Sequence, residues 1–200
     1  MLLGLDFDNT LIRYDALFHQ VALERAWIPA DTPRDKVAVR DYLRSVGRED
    51  DWTLLQGIVY GTRILDAEPF EGMLDTLGRL HERKVPMRIV SHKTRTPYLG
   101  EPCDLHAAAR AWLSKQGFHL DDGLGWAEEQ VHFELTKHDK IARIVALGCT
   151  HYVDDLPEIL DMLPGHVTKI LFAPNGAPGA AQDWHVMRRW DALPAIVGLP

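Results

Sequence analysis

Leu5-Asp6-Phe7-Asp8-Asn9-Thr10-Leu11 follows the apolar opening Leu2-Leu3-Gly4 and sets two carboxylates two residues apart where a buried strand ends. Carboxylates there are costly to desolvate unless a cation meets them, so the run points to a metal site or to phosphate chemistry. An acidic turn after a strand is the bland alternative. Whether other polar segments converge on the same place separates the two readings.

Outward from this run, short apolar stretches rich in Val, Ile, Leu and Phe predict strands at roughly 2–7, 85–91, 130–135, 150–154 and 167–172. Between them, Leu74, Leu77 and Leu80 share a helical face, as do Leu105, Ala109, Trp112 and Leu113, and Ile141, Ile144 and Val145. Thr136 with Asp139 has the spacing of an N-terminal cap. Strand alternating with helix predicts an α/β fold, a doubly wound (Rossmann-like) parallel sheet of five strands. After Phe172 the stretch Pro174–Gly179 reads as a loop, and Trp184, Met187, Trp190 and Leu193 suggest a closing helix. Residues 14–68 break the alternation with helical patterns such as Leu17, Phe18 and Val21, then Val39 and Leu43, then Trp52, Leu55 and Val59. The expected organisation is therefore a core of 1–13 and 69–200 with a small all-helical cap of 14–68, inserted at the strand end where such sheets bind ligands.

Two hundred residues fit one domain with a small insertion. Lys plus Arg number 22 against 29 Asp plus Glu, with the charges scattered, so neither nucleic acid nor an anionic membrane is the expected partner. A small, locally recognised substrate is. Cys103 and Cys149 stand far apart without metal-ligand spacing, which suggests neither a disulfide framework nor a zinc site but a reduced, cytoplasmic setting. No targeting signal or membrane-length apolar run is expected.

The other polar segments do converge. Ser91-His92-Lys93 ends the second expected strand, Asp154-Asp155 ends the fourth, and Lys137 and Lys140 open the helix before it. Strand carboxyl ends and helix amino ends share one rim of a doubly wound sheet. With Asp6-Phe7-Asp8-Asn9-Thr10, Ser91, Lys140 or Lys137, and Asp154-Asp155 in this order, the chain resembles the haloacid dehalogenase-like (HAD) superfamily of phosphohydrolases from residue 2 to about 172.

That resemblance implies roles. Asp6 would attack phosphorus and form an aspartyl phosphate, while Asp8 would protonate the leaving oxygen and then deprotonate water. Magnesium would be held by Asp6, the backbone carbonyl of Asp8, Asp154 and, directly or through water, Asp155. Lys140 or Lys137 would spread the charge of phosphoryl transfer, and Thr10, Ser91, His92 and Lys93 are the candidate substrate contacts. An acid at position 8 favours phosphatase over dehalogenase, since a halide leaves without a proton. The expectation is a magnesium-dependent phosphatase acting on a small phosphorylated metabolite, a sugar phosphate or nucleotide. A catalytically weak binding or regulatory module of the same fold is the alternative. Nothing in the sequence bears on oligomeric state.

Overall fold

The computed structural model describes residues 1–120, 122–176 and 183–199, which fall into two compact units. The first comprises Met1–Ile12, Pro69–Lys93 and Gly117–Pro200. Its centre is a parallel sheet of β1 (Leu3–Leu5), β2 (Met87–His92), β3 (Val131–Glu134), β4 (His151–Asp154), β5 (Thr168–Phe172) and β6 (Trp184–Met187). Their spatial order is β3-β2-β1-β4-β5-β6. The chain walks from β1 outward to β3 and then returns to the other side of β1. The carboxyl ends of β1 and β4 therefore flank the point where the winding reverses, the place such sheets use for ligands.

Register explains why the central strands read as apolar. Leu5 pairs with Ile89 on one side and Val153 on the other, and Val153 pairs in turn with Ile170. All four are fully buried, as parallel strands covered on both faces require. The alternate residues Val90, Tyr152 and Leu171 join a cluster with Ile144 of α6 (Lys137–Ala146) and with Ile159 and Leu160 of α7 (Pro157–Met162). Gly4 lies opposite Tyr152, and a Cβ there would stand 2.5 Å from the tyrosine Cδ2. Only glycine leaves room here for the Tyr152 ring.

Among the described residues the sheet has six strands rather than five. Trp184–Met187 adds to β5 in parallel register, with Leu171 opposite Val186 and Phe172 opposite Met187, so the expected closing helix is a strand followed by the short α8 (Leu193–Ile196). Trp190 instead caps this edge, 5.7 Å from Phe172, which meets Phe70 edge-on at 4.7 Å. The loop expected over Pro174–Gly179 lies within the described residues only as far as Gly176.

The second unit is helical and comprises Arg13–Glu68 with Thr94–Gln116. It contains α1 (Asp15–Glu24), α2 (Lys36–Ser45), α3 (Glu49–Gly57), one turn of π-helix at Ile58–Thr62, and α5 (Leu105–Lys115), whereas α4 (Met73–Glu82) belongs to the first unit. Phe18 and Trp52 stack at 5.0 Å, and Tyr60 meets both Tyr14 and Phe18 edge-on. The expected cap of 14–68 is thus joined by a segment assigned from sequence to the core. The reason is local: the Trp112 indole donates to the Ala67 carbonyl at 2.8 Å, and Lys115 Nζ donates to the Leu65 carbonyl. Among the described residues no helix is long and apolar enough to cross a membrane.

Candidate active site

The Asp6 amide still donates to the Val153 carbonyl at 2.9 Å, so the first aspartate leaves β1 in sheet register. The chain then winds. The Phe7 carbonyl accepts from the amides of Thr10, Leu11 and Ile12, and Asn9 takes a left-handed φ of 58°, a conformation asparagine tolerates better than most residues. This turn brings the Thr10 hydroxyl back to donate to Asp6 Oδ2 at 3.3 Å.

Three elements supply the partners of Asp6. From the end of β2, Ser91 donates its hydroxyl to Asp6 Oδ1 at 2.9 Å. From α6, Lys140 Nζ lies 2.6 Å from Asp6 Oδ1 and 2.6 Å from Asp154 Oδ2. From β4, Asp154 turns its other oxygen, Oδ1, to accept the Leu156 amide at 2.9 Å. Oxygens of Asp6, Asp154 and Asp155 all lie within 4.8 Å of one another.

Lys140 reaches this position because Thr136 starts α6, its hydroxyl accepting the Asp139 amide at 3.0 Å. The next turn then faces the strand ends, with the Lys140 ammonium 5.6 Å from the centre of the Tyr152 ring. Burial alone would lower the pKa of Lys140, but Asp6 and Asp154 outweigh it and hold the ammonium above its ordinary value. Asp154 is pushed up, first by burial and then by Asp6, with Lys140 pulling the other way. Burial also keeps Tyr152 a phenol, and its hydroxyl donates to the Val90 carbonyl.

Asp6 and Asp154 share the buried Lys140 ammonium, and Asp155 adds a third, half-buried carboxylate beside them. A hard cation with oxygen preference fits this donor set.

The remaining expected residues go elsewhere. Lys137 is exposed and pairs with Glu158 at 2.6 Å. His92 shares its Nε2 with the Leu135 carbonyl at 3.1 Å. The Asp8 side chain does not join the carboxylate group but faces Lys93, whose Nζ lies 3.0 Å from each of its oxygens. Sequence reasoning missed this pairing and the role of Tyr152. Strand parity carries the first signal, because Ser91 and Lys93 share one side of β2 while His92 points to the other. Gly4 opposite an aromatic residue carries the second.

The architecture belongs to a class of α/β fold that solved structures identify. Over 99% of its length the chain is similar to 98% of the putative HAD-hydrolase YfnB from Bacillus subtilis bound to magnesium, at 13% identity and TM-score 0.63. It is similar over 98% of its length to 94% of a HAD family hydrolase from Deinococcus radiodurans with bound phosphate and sodium, at 17% identity and TM-score 0.60. A HAD phosphatase from Thermococcus onnurineus is similar over 98% of this chain and 97% of its own, at 16% identity and TM-score 0.54. No family model matches, and no curated protein is significantly similar. The chain has the haloacid dehalogenase-like fold.

Proposed function

We propose that the protein is a magnesium-dependent phosphatase that hydrolyses a small phosphomonoester through an aspartyl phosphate on Asp6. The observation that carries this reading is Lys140 held between Asp6 and Asp154 at 2.6 Å each, beside Asp155. The phosphate and sodium of the Deinococcus radiodurans hydrolase and the magnesium of YfnB support it, as does the phosphatase from Thermococcus onnurineus.

Asp6, Asp154, Asp155 and the Asp8 carbonyl would hold the ion, which when bound supplies positive charge to the phosphoryl oxygens. Asp6 Oδ1 is anchored by Ser91 and Lys140, whereas Oδ2 accepts the long 3.3 Å hydrogen bond of Thr10 and is the oxygen that would form the bond to phosphorus. As that bond forms and the ester oxygen leaves, Asp8 gives the departing oxygen a proton. It then takes a proton from the water that attacks phosphorus, releasing phosphate and restoring Asp6. Lys140 and the Ser91 hydroxyl stabilise the charge on the transferring group.

The test is phosphate release from p-nitrophenyl phosphate and from a panel of sugar phosphates and nucleotides. Activity is expected with magnesium, is lost in chelator, and is nearly abolished in Asp6→Asn. A wild-type protein that turns over nothing in the panel with magnesium would sink this reading and leave the binding module in its place.

A further inference from the structure

We propose that Lys93 is the positioning residue of Asp8, an anchor beneath the carboxylate and not a contact for the substrate; the inference rests on the phosphatase reading above. The Lys93 ammonium lies 3.0 Å from both Asp8 oxygens and 5.5 Å from the centre of the Phe7 ring. Phe7 is itself braced edge-on by Phe133 at 5.6 Å. The backbone fixes the lysine as firmly, since the Lys93 amide donates to the Glu134 carbonyl at 2.8 Å and so extends the pairing of β2 with β3.

Exposure decides between anchor and substrate contact. The Lys93 side chain is 3% exposed and that of Asp8 is 24% exposed. A ligand arriving from solvent therefore meets the carboxylate first, with the ammonium behind it. An ammonium equidistant from two oxygens restrains Asp8 against rotation in its ionised form, and the aromatic face restrains the ammonium. That form is the one left once its proton has gone to the departing oxygen, and the one that takes a proton from water. A group that must deliver a proton and then remove one from water at the same place gains from being held within a fraction of an ångström.

Lys93→Met is expected to lower kcat by about 10- to 100-fold, the usual loss on removing a group that orients a reacting residue. KM should stay within about twofold, because no substrate contact is lost. On an Asp8→Asn background the same change should have no further effect, since the group it positions is already disabled. Lys93→Arg, which retains charge and two-pronged donation, should recover part of the loss. A raised KM, or an undiminished further loss on the Asp8→Asn background, would overturn the proposal in favour of a substrate contact or a general structural role. If wild type turns over no phosphomonoester, the phosphatase reading fails separately. The crystal structure of Lys93→Met then decides: an Asp8 carboxylate turned away from its wild-type direction supports the anchor, and one unmoved refutes it.

Discussion

Lys140 Nζ stands 2.6 Å from Asp154 Oδ2, and the two side chains are only 2% and 0% exposed. Such a pair contributes little net stability while intact, because desolvating both charges offsets their attraction. Breaking it is another matter. Lys140→Met leaves Asp6 and Asp154 facing each other without a cation, and metal-free protein should lose about 3–5 kcal/mol, measured by urea unfolding in chelator. Magnesium should restore part of this, as should adding Asp154→Asn. Lys137→Met, at an exposed pair, should stay within about 0.5 kcal/mol of wild type.

Gly4 makes a second prediction. A methyl group there would press on the Tyr152 ring and lie 3.1 Å from Cys149 Sγ. The ring cannot yield freely because its hydroxyl is bonded to the Val90 carbonyl. Gly4→Ala should cost about 1–3 kcal/mol in chemical unfolding, the usual penalty of overpacking. Because the same ring lies beneath Lys140, phosphate release should fall as well, and a variant destabilised but fully active would contradict this coupling.

Asp104 gives the pH dependence a local origin. It caps α5, its carboxylate accepting the amides of His106 and Ala107 at 2.9 Å each. The Ala107 amide, outweighing slight burial, and then Arg95 hold its pKa below the ordinary value. A carboxylate depressed in the folded state adds stability that is complete above its unfolded pKa of about 3.9 and disappears as pH falls through the folded value. Asp104→Ala should cost about 1 kcal/mol at neutral pH. Urea midpoints of wild type and variant should converge as pH falls from 5 toward 2, and a constant gap would refute the assignment.

Much of this was legible in the chain. Val153, Ile170 and Leu171 read as strand because both faces are buried, and Asp6, Ser91 and Asp154 read as one group because parallel strands put their carboxyl ends on one rim. Trp184–Met187 did not read as strand, since a short edge strand with His185 and Val186 exposed lacks alternation, and the spacing of its large residues also fits a helix. The periodicity of 105–113 predicts a helix but not the body it joins, which depends on long-range contacts such as the Trp112 indole and the Lys115 ammonium meeting the Ala67 and Leu65 carbonyls. The link from Lys93 to Asp8 spans 85 positions, and its one trace in the sequence is that Lys93, just past β2, keeps the parity of Ser91.

The chain's first strand has no neighbours until far later in synthesis. Asp6 meets Ser91 85 positions on and Lys140 134 positions on, so closing these long loops precedes any assembly of the rim. Leu3, Leu5 and Phe7, fully buried at the end, leave the ribosome before the strands that cover them. Folding is accordingly expected to be slow and to draw on chaperones, with truncated chains that end before β4 prone to aggregate.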